Sequence, residues 1–255
     1  RTLIKQGEKA HVSNQIVDEP VTVIISENGW SRVRLGHGHD PSSFSFKTGD
    51  VLYQTYESRS TDYVVAISTS GRSYTIPIVV LPKGKTDGIP LTSLVDIESG
   101  ANLVTFTAGS DRSQFLVVTK NGLGFVTEFS GLLSRNKSGK QFIKLDRGDI
   151  PFSIVTTDQN NNGIAMLTTQ QRLIIFGQNE IKKLLSGGRG VSLISLAASD
   201  EVVDLKMLGS KGLTLIGHNK KMTYKEKKLS NDDLMQFISK RGRKGKILQS
   251  KFVVN

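Results

Sequence analysis

Apolar residues in this chain come in short runs separated by turn residues, and no stretch holds a helical period for long. Val21 to Arg34 reads VTVIISENGWSRVR, two apolar runs around Asn28-Gly29. The unit returns as VVAISTSGRSYTI (64–76) around Ser70-Gly71 and as FLVVTKNGLGFVTEF (115–129) around Asn121-Gly122. It returns again as IAMLTTQQRLIIF (164–176) around Gln170-Gln171 and LTLIGHNKKMTY (213–224) around Asn219-Lys220. Asn-Gly between apolar runs predicts a hairpin with a type I′ turn, which needs positive φ at both central residues. The second turn residues stand at 29, 71, 122, 171 and 220, steps of 42, 51, 49 and 49 residues, so the chain is a repeat of five units.

The remainder of each unit repeats too. A single helical turn is expected at IVVLP (78–82), FSGLLS (129–134), NEIKKLL (179–185) and SNDDLMQFI (230–238), the last with Ser230 as N-cap. Next comes a slot of Gly with Lys or Arg: KGKTDG (83–88), RNKSGK (135–140), SGGRG (186–190) and KRGRKGK (240–246). A third strand follows (IPLTSLVDI, QFIKL, VSLISLA, KILQS). Turns at Gly49-Asp50, Gly100-Ala101, Gly148-Asp149 and Asp200-Glu201 then lead into a fourth strand (VLYQTY, LVTF, SIVTT, VVDLKML). Four short strands per unit of this length predict an all-β, propeller-like protein whose blades must stack to bury both faces. Residues 1–19 are polar and outside the repeat. They are expected to be a linker entering one domain of five repeats, approximately 20–60, 61–110, 111–160, 161–210 and 211–255.

Charge adds a partner class. Lys and Arg number 34 against 23 Asp and Glu, a net +11, which favours polyanionic partners, nucleic acid before acidic membranes. From Lys211 to Asn255 there are 12 cations against 3 acids. The slots supply Lys83, Lys85, Arg135, Lys137, Lys140, Arg189, Lys240, Arg241, Arg243, Lys244 and Lys246, and the hairpins supply Arg32, Arg34, Arg72, Arg172, Lys220 and Lys221. Aligned on one side of a stacked array, these would form a track for the phosphates of duplex DNA. For any single slot the plainer reading is that Gly makes the turn and Lys keeps the loop soluble. Trp30 beside the first turn is read as cover for a blade edge rather than a stacking platform. No zinc finger, recognition helix or RNP aromatics are present, so backbone-directed, weakly selective binding is expected. Neutralising about six phosphates would cost roughly a thousandfold in affinity between 50 and 200 mM salt. Bending a site by about 40–90° costs on the order of 1–6 kcal/mol.

Chemistry is poorly served. There is no cysteine, hence no disulfide or thiolate zinc site, which suits a reducing cytoplasm. No apolar run reaches the roughly 18 residues of a membrane helix. The chain opens on Arg1 with no signal-peptide pattern, and is expected to be a piece of a longer intracellular protein. Gly139-Lys140 lacks the spacing of a phosphate-binding P-loop. His37, His39 and Asp40 could touch a metal, but an exposed loop is the better reading. Asp232-Asp233 suit the first turn of a helix. No nucleophile–base arrangement emerges.

The segments EPVTVIISENGWSRVRLGHGHD (19–40), STSGRSYTIPIVVLP (68–82), GFVTEFSGLLSRNKSGK (124–140) and KRGRKGKIL (240–248), with the repeat and the basic slots, resemble the C-terminal domain of bacterial type IIA topoisomerase A subunits, nearest the topoisomerase IV branch. The resemblance covers about residues 20–255 and implies a five-bladed β-pinwheel with four-stranded, strand-exchanging blades. The sequence leaves open whether the ring closes. It also implies duplex DNA bound on a basic rim to direct supercoil or decatenation selectivity, and a non-catalytic role for this fragment. Implied partners are the ATPase B subunit with the rest of the A subunit, in a bacterial cytoplasmic, nucleoid-associated enzyme. The fragment itself is expected to be monomeric. The gyrase branch carries Gln-Arg-Arg-Gly-Gly-Lys-Gly in its first blade. Here that slot reads HGHDPSS, and SGGRG (186–190) is only a partial echo, which argues for bending over tight chiral wrapping. The family's catalytic tyrosine directly follows an Arg, whereas Arg72-Ser73-Tyr74 has a residue between, so no catalytic role is carried over. Magnesium and ATP are implied for the holoenzyme and no cofactor for this fragment. A bladed scaffold for an acidic protein partner is the second reading.

Overall fold

The computed structural model describes residues 17–110, 113–157, 163–209, 212–218, 224–248 and 253–254. They form four four-stranded antiparallel sheets and one of three strands. Each is built on one of the hairpins read from the sequence: Pro20–Ser26 with Trp30–Leu35, Tyr63–Ser68 with Arg72–Pro77, Gln114–Thr119 with Leu123–Glu128, Gly163–Thr168 with Arg172–Gly177, and Leu213–His218 with Tyr224–Leu229.

The turns differ from the expected type. Gly29, Gly71, Gly122 and Gln171 take positive φ, but the residues before them do not. The N–H of Gly29 donates to the Ser26 carbonyl at 2.9 Å, and that of Gln171 to the Thr168 carbonyl at 2.9 Å, so each loop is a tight turn followed by one left-handed residue. Corner hydroxyls favour this form. Ser26 Oγ accepts the Trp30 N–H at 3.1 Å and Thr168 Oγ1 accepts the Arg172 N–H at 3.3 Å. With that support Gln171 holds the left-handed conformation at φ +58° without being glycine.

Each hairpin's first strand pairs on its other side with a later strand: Leu52–Arg59, Leu103–Gly109, Pro151–Thr157 and Val202–Leu208, which follow the Gly-Asp-type turns, and, for the fifth hairpin, Val253–Val254. The first four of these lie side by side in succession, so they are the inner strands of the array. Tyr56 ties the first to the second, donating to the Phe106 carbonyl at 2.7 Å, and burial pushes its phenol well above the ordinary range.

The outer strands are Ile89–Pro90, Lys140–Gln141, Val191–Ser192 and Lys246–Ile247. The third strands expected from the sequence are thus only two residues long, and each pairs with the hairpin of the preceding unit: Ile89 with Ser31, Lys140 with Ser73, Val191 with Gly124, Lys246 with Leu173. The sequence repeat and the sheet are therefore offset, with a strand exchanged at every junction. The helical turns make the crossing, over Ile78–Val80, Phe129–Leu132, Gln178–Glu180 and Asn231–Met235.

Burial on both faces explains the unbroken apolar runs. Val64 and Ala66 pack toward the first sheet with Val21, Val23 and Tyr74, while Val65 and Ile67 pack toward the third with Phe115 and Val117. Leu116 and Val118 meet Ile164 and Met166 of the fourth sheet, and Ala165 and Leu167 meet Leu213 and Leu215 of the fifth. The described end of the entry segment is tied to this stack, for Ser60 Oγ donates to the Val17 carbonyl at 2.6 Å.

Candidate nucleic-acid interface

The Gly-basic slots lie immediately before the outer strands, at the perimeter of the array. Their last glycine has a steric cause. Gly139 has φ +65°, and a Cβ there would stand 2.6 Å from the Ser73 carbonyl oxygen of the strand it is about to join. Gly88, Gly190 and Gly245 hold the same place against Ser31, Gly124 and Leu173. The glycine is needed for the exchanged strand to dock, whatever else the loop does.

Several arginines also act on the fold. Arg72 donates Nε and Nη2 to the Ser138 carbonyl at 3.1 and 2.9 Å, and Nη2 to the Gly139 carbonyl at 3.0 Å, so the hairpin holds the slot loop that crosses to it. Arg172 reaches the Gly245 carbonyl at 3.3 Å. Arg241 reaches the Ser192 carbonyl at 3.0 Å and the Glu180 carbonyl at 2.7 Å. Arg32 is 5% exposed, donates to the Ser45 carbonyl at 2.7 Å, and lies over Phe46. Burial lowers its pKa from the ordinary arginine value. Arg34 lies over Phe44, 6.0 Å from the ring centre. Lys140 is half-buried with its ammonium 5.7 Å from the Phe142 ring centre, and burial lowers its pKa. Two slot cations are paired, Lys83 with Glu19 and Arg189 with Asp146. Lys220 and Lys221 lie outside the described residues.

What remains is an exposed set without an ion pair among the described residues: Lys85, Arg135, Lys137, Lys240, Arg243, Lys244 and Lys246. They belong to three homologous perimeter loops. The fourth loop, 186–190, contributes only the paired Arg189, but Lys182 and Lys183 stand exposed just before it. Sequence pattern alone hides these two, because they fall in the helical-turn segment. The signal that could have found them is the homology of Lys183 with Lys83: each makes the same parallel bridge to a hairpin strand, at Val126 and Val33.

The other candidates resolve into structure. His37 Nε2 lies 2.9 Å from the Ser58 carbonyl and His39 Nε2 2.8 Å from the Leu35 carbonyl, so both rings donate to backbone. Asp233 and Ser230 form a reciprocal helix cap at 2.9 and 3.2 Å. Trp30 lies under Lys47, whose ammonium is 3.3 Å from the ring centre.

Comparison with known proteins places this architecture. The family model described as DNA gyrase C-terminal domain, beta-propeller, matches residues 113–150 and 164–208, which hold the third and fourth hairpins. The A subunit of DNA topoisomerase 4 from Haemophilus influenzae is 33% identical over 233 residues, 90% of this chain and 31% of the relative. That of Pseudomonas aeruginosa is 32% identical over 241 residues, 92% of this chain and 31% of the relative. The chain thus spans about a third of the length of these relatives. The solved E. coli ParC C-terminal domain superposes with a TM-score of 0.76 at 28% identity, covering 91% of this chain and 95% of that one. A DNA gyrase A C-terminal domain shares the fold, with a TM-score of 0.63 at 19% identity over 89% of this chain and 76% of that one. The solved E. coli ParC C-terminal domain is thus matched almost end to end, and this chain is similar over nine-tenths of its length to DNA topoisomerase 4 A subunits.

Proposed function

We propose that this domain is a non-catalytic module that holds duplex DNA along its perimeter and bends it, steering which DNA segment a topoisomerase IV acts on. The observation that carries the reading is the recurrence, in homologous loops just before successive outer strands, of exposed cations without an ion pair among the described residues. Lys85 comes from the first junction, Arg135 and Lys137 from the second, and Lys240 to Lys246 from the fourth. Cations spaced around a curved edge neutralise phosphates best when the duplex follows the edge, and the contacts offset the bending cost. On this reading the five sheets are the blades of a pinwheel. An ATPase subunit, together with the rest of the A subunit, supplies cleavage, metal and ATP chemistry in the bacterial cytoplasm.

The test is a salt series of gel shifts on a duplex of arbitrary sequence. Replacing Lys137 and Lys244 together by Glu should weaken binding to every sequence. If each of the two lysines meets one phosphate, the slope of log K against log salt should flatten by about 2. Unchanged affinity and slope in that variant would overturn the proposal, as would salt-insensitive binding by the unaltered chain.

A further inference from the structure

The perimeter also carries an apolar feature. The helical turn Ile78–Val80 exposes two valines, Val79 at 42% and Val80 at 48%. The homologous places in the next two units are polar or small, Ser130 with Gly131 and Asn179 with Glu180. The homology follows from buried Leu81, Leu132 and Ile181, which close the same turn. Val80 lines a groove of about 800 Å³ together with Tyr63, Leu94 and Leu133. Tyr63 is itself 37% exposed, and Leu94 and Leu133 are half-buried. Arg135 and Lys137 stand on the lip, exposed and without ion pairs among the described residues.

From this geometry we infer that the groove is a docking site for an acidic peptide segment of a partner protein, one that inserts aliphatic or aromatic anchors against Val80 and Leu133 and sets carboxylates on Arg135 and Lys137. A concave apolar floor with a few convergent charges is the general form of a peptide-recognition groove. Charge selects the occupant. The chain's own first sixteen residues carry Arg1, Lys5 and Lys9 against Glu8, and a second copy brings another net +11, so both meet the cationic lip with like charge. A phosphate backbone gains nothing from the apolar wall. Because Arg135 and Lys137 also belong to the proposed DNA track, an acidic segment in the groove would displace DNA from that loop.

The test is fluorescence anisotropy with a labelled twelve-residue probe in which Leu and Phe alternate with Asp and Glu, and a control probe with Ser at every Leu and Phe. The expected result is saturable binding of the first probe, at least tenfold tighter than the second. The double change Val79→Ser with Val80→Ser should abolish that preference and leave duplex DNA affinity unchanged. Arg135→Glu with Lys137→Glu should weaken both the probe and DNA. Equal binding of the two probes, or a preference that survives the valine changes, would overturn the docking site. Neither result would touch the DNA proposal, which fails only if the duplex itself is not held.

Discussion

Arg189 and Asp146 meet face to face, Nε to Oδ1 at 2.8 Å and Nη2 to Oδ2 at 2.6 Å, and this pair takes the single cation of the 186–190 loop out of the perimeter's free charge. The loop keeps the homologous position of its neighbours but not their electrostatics. Asp146→Asn should therefore release Arg189 for phosphate, raising duplex affinity and steepening the salt slope by about 0.9. Gel shifts at several salt concentrations against the unaltered chain would check it, and identical slopes would refute it.

The same pair sets a pH dependence. Hydrogen bonds from Arg189 hold the Asp146 carboxyl below the ordinary aspartate value. A carboxyl depressed on folding contributes stability above its unfolded pKa of about 4 and loses it as pH falls through the folded value. The stability difference between the unaltered chain and Asp146→Asn should thus be constant near neutrality and close below about pH 4. Urea midpoints across that range are the measurement. A difference that widened toward acid would contradict the assignment.

Arg72 of the hairpin and Lys137 of the slot loop that it holds should separate in their effects. Arg72→Ala breaks charged donors to the Ser138 and Gly139 carbonyls and should cost about 1–2 kcal/mol of stability. Lys137→Ala removes an exposed ammonium that has no ion pair among the described residues, and should leave stability within about 0.5 kcal/mol while lowering DNA affinity. Denaturation and binding measured on both variants give the comparison.

At Gly71, φ is +81° and a Cβ would lie 2.3 Å from the Ile143 carbonyl oxygen, backbone that cannot step aside. Gly71→Ala should destabilise by about 2–4 kcal/mol, combining the left-handed penalty with overpacking. Gly148, also at positive φ, has nothing within 4 Å, so Gly148→Ala should show the backbone penalty alone, about 1–2 kcal/mol. Thermal unfolding of the pair would separate the two contributions.

Asp149 reaches from the inner-strand turn to the hairpin tip, where Oδ1 accepts the Asn121 N–H at 3.0 Å in a site 5% exposed. Asp200 does the same for Gln170 at 3.0 Å, and Asp50 for Asn28 at 3.2 Å in a more open site. Asp149→Ala should cost about 2 kcal/mol, and Asp50→Ala clearly less, since water can replace an exposed acceptor. Chemical denaturation of both decides it.

The first four hairpins and their spacing were legible because their first strands are buried on both faces and their turns each carry a left-handed residue, constraints that act within about a dozen residues of sequence. The basic slots were legible as places but not as chemistry. Glycine in them serves the docking of the next strand, and arginine divides by its surroundings: Arg72 and Arg241 meet carbonyls, Arg189 meets a carboxylate, and Arg243 meets neither among the described residues. Those partners lie 43 to 67 residues away, so no local pattern announces them.

By itself, then, the sequence determined an all-β repeat of hairpins with a strong positive charge and cations placed at every junction but the first hairpin's own. Tertiary structure decided the rest. Two-residue outer strands form only because a neighbouring hairpin offers a free edge, and that exchange determines which loop faces which carbonyl. A cation's availability to a phosphate depends on the acceptors within a few ångströms of it, and in a stacked array those acceptors come from the neighbouring unit.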